Sequence, residues 1–439
     1  MIESQTAARA VANTLPVVRA VAGPVIAKYI RETPADERSW AMGAAVATLS
    51  ITDKLDGTLA AHAGPTKVGG WLDQMADKAF VIPAQVALQS TGEMPTVHPV
   101  LKVARDVSLS GLRWWAASSG KDVSAGRQGK QKTTAEMMTL TAAASPLATK
   151  RDLVRTGASV ATAMSLTSFL EYLTEYTKKD TKPNDEATAR NGMARQIFAK
   201  PINAAVDIID HKLPQVTPDH ITMLGEQLVK SSVIIAALKP ENSALPTALY
   251  SFGSMLDALD GSLARKKGQD SGGTTVEGML KDVKADKRQE ITTFLALSII
   301  ARRRGNNVAA NNYAIATATT ALSALFRAEA ETSGQIVAEG GIGTRVGRGV
   351  LGGVGLGLNR HQDASDIISA AVATGNVNTV IERRHVAKNG SSSPYSKGEN
   401  TDPTFREHAE IRRKALLPLA VSGAALGALA LVYKGGAKR

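Results

Sequence analysis

The chain has 439 residues, 44% of them apolar and only 4% aromatic, enough to bury real cores in two or three domains. Its 52 Lys and Arg against 40 Asp and Glu leave a net charge of +12, which favours an anionic partner: nucleic acid, a phospholipid surface or a phosphorylated metabolite. The absence of cysteine excludes disulfides, thiolate nucleophiles and Cys-ligated zinc, and seven scattered His argue against a His-rich metal site.

Ala, Leu, Met and charged residues prevail, with Gly and Pro mainly between the long segments, a pattern that predicts helix throughout. The opening MIESQTAARAVANTLPVVRAVAG lacks a basic stretch followed by a clean apolar run, so it does not read as a cleaved secretory signal; a transit-peptide reading stays open. Six helices are predicted in the first half, roughly at 12–30, 39–62, 70–91, 97–119, 133–147 and 153–175. Residues 177–196, TKKDTKPNDEATARNGMARQ, are charged and poor in large apolar side chains, as a linker should be. A second polar stretch, AKNGSSSPYSKGENTDPTF at 387–405, isolates the last apolar segment. That segment, 415–433, alone has the near-unbroken apolar length needed to cross about 30 Å of hydrocarbon. The other candidates are rich in Ala, Thr and Ser, and the mean hydropathy is −0.08. By hydropathy alone, a soluble Ala-rich bundle is favoured.

Self-similarity across the first linker is the most informative feature. Asp53, Asp56 and Gly57 in DKLDGTLA recur as Asp257, Asp260 and Gly261 in DALDGSLAR. Each copy continues with a glycine and two further aspartates four residues apart: Gly69, Asp73 and Asp77, then Gly278, Asp282 and Asp286. The second copy is longer only in the glycine-bearing KKGQDSGGTTVE, where a loop absorbs the extra residues without disturbing the helical spacings.

Residues three or four apart share a helix face, so Asp53 and Asp56 point together, as do Asp73 and Asp77. A loop between two such helices turns one face toward the other. Four carboxylates in a poorly solvated space either take up protons or bind cations. Carboxylate-only ligation suits Mg2+, Mn2+ or Ca2+, and a pair of Mg2+ or Mn2+ ions would serve phosphoryl chemistry by clamping a diphosphate. Gly57, Gly69 and Ala60 remove bulk where a nucleotide approaches the backbone. A single D-x-x-D-G also reads as a capped helix end, and Asp73 with Asp77 as a solvated face; repetition of the whole ordered set in both halves is what favours function.

The pattern D-x-x-D-G-x-x-A-R, then G-x-x-x-D-x-x-x-D, resembles the signature of the CDP-alcohol phosphatidyltransferases, integral membrane enzymes with six transmembrane helices. The second copy supplies every element, Asp257, Asp260, Gly261, Ala264, Arg265, Gly278, Asp282 and Asp286, with an enlarged gap. The first has Ala61 where the family has arginine. Upstream, NTLPVVRAVAGP, with Asn13, Arg19 and Pro24, resembles the first helix of phosphatidylglycerophosphate synthases. The later stretch with Arg105, Arg113, Lys130, Lys132 and Thr133 resembles the same branch, which uses glycerol 3-phosphate. In the second half, TPDHITMLG resembles the T-P-N-x-x-T-x-x-G entry of other members, and FRAEAETSGQIVAEGGIGTRVGR resembles the R-A-R-A-E and G-x-x-x-R-x-x-R region of the inositol-phosphate and related branches.

The resemblance implies an all-α fold of two tandem six-helix membrane bundles plus a C-terminal apolar helix. The expected divisions are a first domain at 1–176, a polar linker at 177–215, a second domain at 216–387, a disordered linker at 388–409, and an apolar helix with a basic tail at 410–439. It reverses the hydropathy reading, because helices around a polar cavity tolerate a wet face and Ala-rich helices pack backbone to backbone. An even helix count per half, with Lys178, Lys179, Lys182, Arg190 and Arg195 in the linker, places the active sites on the cytoplasmic side.

The implied reaction transfers a phosphatidyl group from CDP-diacylglycerol to a small alcohol or phosphorylated alcohol, with release of CMP. Two Mg2+ or Mn2+ ions per active half would be held by Asp53, Asp56, Asp73 and Asp77, and by Asp257, Asp260, Asp282 and Asp286. Asp77 and Asp286 would also take the acceptor's proton, while Gly57, Ala60, Gly69, Gly261, Ala264, Arg265 and Gly278 would border the nucleotide. An acceptor phosphate would meet Arg105, Arg113, Lys130 and Lys132 in one half and Arg327, Arg345 and Arg348 in the other. Those cations could equally meet lipid headgroups or helix ends, and Trp114 and Trp115 read as interface anchors. Membrane lipids are expected partners, and nucleic acid is not, since no recognition module accompanies the charge. The halves could pair within the chain or as a homodimer, and one could be a silent partner: Ala61 nominates the first, the stretched loop the second.

Overall fold

The computed structural model describes residues 2–63, 67–118, 127–177, 193–239, 241, 243–267, 276–337 and 345–433. It is helical almost throughout and divides into two compact units, Met1–Leu173 and Thr174–Arg439.

Among the described residues, the first unit is built from six α-helices: α1 (Ile2–Glu32), α2 (Trp40–Ala63), α3 (Lys67–Ser90), α4 (Val97–Ser118), α5 (Arg127–Ala143) and α6 (Arg151–Thr177), with a short 3-10 turn at Pro146–Thr149. The core gathers Ile26, Ile30, Val46, Phe80, Leu88, Leu140 and Val154. Side chains at helical spacing on α1 and α3 bury one face each, and that face holds the two helices together. Gly23 sets how close they come: a Cβ there would run into the Ala79 carbonyl oxygen, so any other residue must push α1 away from α3. Arg38, in the turn after α1, is buried and donates to both Glu93 carboxylate oxygens at 2.6 Å and to the Ile30 and Ala143 carbonyl oxygens. One guanidinium thereby satisfies buried carbonyls near the ends of α1 and α5 and ties them to the turn after α3.

The second unit comprises α7 (Met193–Lys212), α8 (Pro218–Leu238), α9 (Ala244–Lys266), α10 (Val276–Arg303), α11 (Asn307–Thr332), α12 (Arg345–Gly357), α13 (Gln362–Asn389) and α14 (Pro403–Val432). Thr217 caps α8 and Pro218 opens it. α8 and α9 meet at a pair of glycines: a Cβ on Gly225 would lie 2.9 Å from the Gly253 carbonyl oxygen, and one on Gly253 would lie 2.8 Å from that of Gly225. The core is Phe294, Leu297, Ile300, Tyr313, Leu356 and Val372.

α11 is the buried centre, packed along α10, α13 and α14. Its polar residues survive burial because Thr317, Thr319 and Thr320 return their hydroxyl protons to carbonyls one turn back, and Asn376 of α13 donates to Thr320. Ala-rich segments that hydropathy ranked low are therefore helix-packing surfaces.

Two stretches expected as linkers carry structure. Within 177–215, Met193–Lys212 is helix α7, whose Val206 and Ile209 pack on Leu256, Leu259 and Leu263 of α9 while Lys266 pairs with Asp207 at 2.7 Å. Within 388–409, expected to be disordered, a 3-10 turn at Gly390–Ser392 leads to a strand, β2 (Ser396–Glu399), that pairs antiparallel with β1 (Gln335–Val337). The polar side chains misled because β2 is held by backbone pairing to β1, whose Val337 is buried with Ala330 and Val386. Asp402 then caps α14, and the Thr404 N–H and hydroxyl that donate to it hold its carboxyl below the usual range. The final helix begins earlier than expected and lies on α11 of the same chain, with a Cβ on Gly427 brought to 2.6 Å from the Ala314 carbonyl oxygen. α8 and α14 are long and apolar enough to cross a membrane.

Candidate functional site

Helix α2 carries Asp53, Asp56, Gly57 and Ala60, and α3 carries Gly69, Asp73 and Asp77; in the second unit α9 carries Asp257, Asp260, Gly261, Ala264 and Arg265, and α10 carries Gly278, Asp282 and Asp286. Each D-x-x-D and each D-x-x-x-D thus lies on one helix face, in both units. The side chains of Asp53, Asp56, Asp73, Asp257 and Asp282 fall outside the described residues, as do those of Gly57, Ala60, Gly69, Gly261, Ala264, Arg265, Gly278, Arg113, Lys130 and Arg345. Among the described residues, no three acidic or His side chains gather as a metal site.

Two of the described aspartates, Asp77 and Asp260, are each reached from the helix that precedes the aspartate pattern in its unit. In the first unit, Arg19 of α1, fully buried, donates to Asp77 Oδ1 at 2.8 Å. In the second, Thr222 of α8 donates to Asp260 Oδ2 at 2.5 Å, and the Gly225–Gly253 approach brings the two helices close enough for it. Asp286 lines a small pocket together with Thr222 and Gly225.

Arg105 and Lys132 are brought together. Arg105 donates to Asp106 at 2.9 Å and to Ser168 at 2.8 Å, and Lys132 lies 3.5 Å from Asp106 and 3.7 Å from Glu136. Lys102 completes the group, 2.7 Å from Glu136 and 3.8 Å from Asp106. Three cations therefore share two carboxylates out of solvent, and Arg105 Nε is buried without an acceptor. The arrangement keeps a surplus positive charge and an unused donor, which suits one more anion. Sequence reasoning missed Lys102, Asp106 and Glu136; their only signal was the four-residue spacing of Lys102 to Asp106 and of Lys132 to Glu136, common on any solvated helix.

In the second unit, Arg348 and Arg327 belong to separate networks. Arg348 Nε donates to Glu290 at 2.9 Å, and Lys287 donates to the same carboxylate at 2.8 Å, all three buried. Arg327 donates to Glu331 at 2.9 Å, whose other oxygen is 2.8 Å from Arg412 of α14. Arg348 thus faces the aspartate helix α10, whereas Arg327 helps fasten the final helix.

A profile described as CDP-alcohol phosphatidyltransferase matches the chain twice, at residues 9–169 and 215–355. The chain is similar to the CDP-diacylglycerol–glycerol-3-phosphate 3-phosphatidyltransferase of Haemophilus influenzae, 36% identical over 96 residues that cover 20% of this chain and 51% of the relative. The Pectobacterium atrosepticum protein of the same description is 38% identical over 96 residues, covering 21% and 53%, and that of Escherichia coli K12 is 36% identical with the same coverage. The chain spans about half the length of the curated relatives it matches.

Proposed function

The chain belongs to the CDP-alcohol phosphatidyltransferase family, and on that premise we propose that it moves a phosphatidyl group from CDP-diacylglycerol to an alcohol acceptor, releasing CMP, in phospholipid synthesis. The observation that carries this reading is the double family match, each segment holding one complete aspartate set on two consecutive helices. The first unit would take glycerol 3-phosphate, as the named relatives do, with Arg105, Lys132 and Lys102 receiving its phosphate beside the unused Arg105 donor. The second unit would take a polyol or an inositol phosphate.

The donor set is entirely carboxylate, which fits the hard divalent ions that family membership implies. Asp53, Asp56, Asp73 and Asp77, and Asp257, Asp260, Asp282 and Asp286, would hold Mg2+ or Mn2+, which when bound neutralises the diphosphate of the donor. Arg19 fixes the Asp77 carboxylate, and Thr222 fixes that of Asp260. A carboxylate oxygen of Asp77 or Asp286 accepts the proton of the acceptor's hydroxyl as the hydroxyl oxygen bonds to the lipid-linked phosphorus and the bond from that phosphorus to CMP breaks. Gly57, Ala60 and Gly69, with Gly261, Ala264, Arg265 and Gly278, would border the cytidine nucleotide.

In this reading the units are tandem six-helix membrane bundles, α1–α6 and α8–α13, divided near residues 177–215 and followed by the apolar α14, with both sites facing the cytoplasm. The second unit also supports another outcome, in which one half is a silent structural partner, because Glu290 already occupies Arg348 and Lys287. Isolated membranes supplied with CDP-diacylglycerol, Mg2+ or Mn2+, and either glycerol 3-phosphate, inositol 1-phosphate, inositol or serine test the proposal. Acceptor-dependent CMP release is expected, and its absence with every acceptor sinks the reading.

A further inference from the structure

Helix α14 lies beyond both family-matched segments, the second of which ends at residue 355, yet it packs on the two helices that carry Asp286 and Arg327. Leu416 meets Ala324 and Ala328 of α11 together with Val283 of α10, the residue after Asp282. One turn on, Ala420 meets Ala321 of α11 and Ile291 of α10. The strand before α14 is tied to the same helix end: the Asn400 N–H donates to the Gly334 carbonyl oxygen at 2.7 Å, just past the end of α11.

Charge follows the packing. Glu331, in the last turn of α11, is buried, and two guanidiniums share its carboxylate. Arg327, one turn back on α11, donates through Nε to Oε1 at 2.9 Å, and Arg412 of α14 lies 2.8 Å from Oε2. The trio keeps a surplus positive charge, and its most exposed member is the Arg327 side chain, at 37% against 17% for Arg412. The first unit reaches a comparable arrangement within its own six helices, where Asp106 is shared by Arg105 of α4 and Lys132 of α5. In the second unit the other cation comes from the added helix.

We propose that α14 completes the acceptor site of the second unit, with Arg412 a positioning residue that acts through Glu331 to set Arg327 against the phosphate of a phosphorylated polyol. The proposal rests on the reading of the second unit as a site of phosphatidyl transfer to such an acceptor, and it gives the C-terminal helix a part in that site. A buried carboxylate needs its charge met on both oxygens. With Arg412 at Oε2, Glu331 holds Arg327 by its Nε edge and orients the guanidinium plane. Without Arg412, Oε2 would turn onto Arg327 as well, and the two-oxygen fork that Arg favours would draw it away from a ligand.

The test uses the full chain purified in a non-ionic detergent and titrated calorimetrically with inositol 1-phosphate, without lipid donor, so that binding is read apart from turnover. Arg327→Met should weaken binding about tenfold, as the loss of one hydrogen bond to a charged group does. Arg412→Met should weaken it by about threefold to tenfold, within the range of coupling between neighbouring groups. Arg412→Lys should keep most of the affinity, which separates the lost charge from a displaced helix. Glu410→Gln, on the exposed side of α14, should leave it unchanged. The Arg327→Met, Arg412→Met double variant should lose no more than Arg327→Met alone, because Arg412 acts only through Arg327. Losses that add in the double variant overturn the proposal, as does wild-type affinity in Arg412→Met. Absence of binding by the wild-type chain, or binding indifferent to Arg327, overturns it equally. Coupled losses in a chain whose second unit releases no CMP sustain the positioning role and sink the transfer reading. CMP release with inositol 1-phosphate at a KM indifferent to Arg412 does the reverse.

Discussion

Arg19 and Asp77 lie 58 residues apart in sequence and 2.8 Å apart in the fold, the guanidinium sealed from solvent and the carboxylate one-third exposed. The first helix of the unit therefore holds the last aspartate of its set. A fully buried cation is tolerated only with such a partner, and the partner in turn is held in one orientation.

Replacing Arg19 with Lys keeps the charge but removes the planar fork that reaches Asp77. With the second unit disabled by Asp286→Asn, Arg19→Lys should lower kcat for CMP release by about tenfold to a hundredfold with little change in KM for CDP-diacylglycerol, as expected when a reacting group is misplaced while substrate binding stays intact. A proportional rise in KM with unchanged kcat would assign Arg19 to substrate binding instead.

Asp77→Asn and Asp286→Asn, made separately, distinguish two working halves from one. Loss of a general base costs about 10²- to 10⁴-fold in rate. If both units turn over, each variant should abolish release with one acceptor and spare it with another. If a single variant abolishes all release, the other half is the silent partner.

The aspartate spacing was legible in the sequence because helical periodicity is local: residues three or four apart share a face whatever surrounds them. The Arg19–Asp77 pairing was not legible, since nothing in residues 13–24 says which later helix they meet. Lys102, Asp106 and Glu136 escaped notice for a related reason. Oppositely charged residues at four-residue spacing ordinarily face water, and only the packing of α4 on its neighbours buries them. Composition misread 388–409, because Gly, Ser and Asn mark a turn as readily as a disordered segment, and the strand at Ser396–Glu399 exists through its partner at Gln335–Val337. For 415–433, apolar length was legible and its neighbour was not; Gly423 and Gly427 were the available signal that another helix approaches that face.

The packing of α14 on α11 gives a direct test of the final helix. A side chain at Gly427 would collide with the carbonyl oxygen of Ala314 and the Cβ of Ala318, each 2.6 Å from the added Cβ. Gly427→Leu should lift α14 from α11 and expose the β1–β2 ribbon to protease, with new cleavage near residues 393–402. Gly398→Ala serves as a control for the ribbon, since no atom lies within 4 Å of its added Cβ, although its φ of 126° strains any side chain. Unchanged protection in Gly427→Leu would mean that Arg412–Glu331, at 2.8 Å, and the packing of Leu416 and Ala420 on α11 hold the helix without the close approach at Gly427.

Glu290 presents the sharpest energetic question in the second unit. Its carboxylate is shared by Lys287 at 2.8 Å and Arg348 at 2.9 Å, with all three side chains buried. Removing the negative charge leaves two buried cations without the carboxylate they share, and breaking a buried pair in this way costs about 3–5 kcal/mol. Glu290→Gln should therefore lower the thermal midpoint of the detergent-purified chain clearly, whereas Glu290→Leu combined with Lys287→Met and Arg348→Met should recover most of the loss, because no charge then remains to be compensated. An added phosphorylated acceptor supplies the second reading. If Arg348 and Lys287 can receive a phosphate, glycerol 3-phosphate or inositol 1-phosphate should raise the midpoint of Glu290→Gln more than that of the wild type, since a ligand bound only by the folded chain stabilises it by mass action. Equal shifts in both proteins would show that the two cations serve the fold alone, and that an acceptor in this unit is recognised elsewhere.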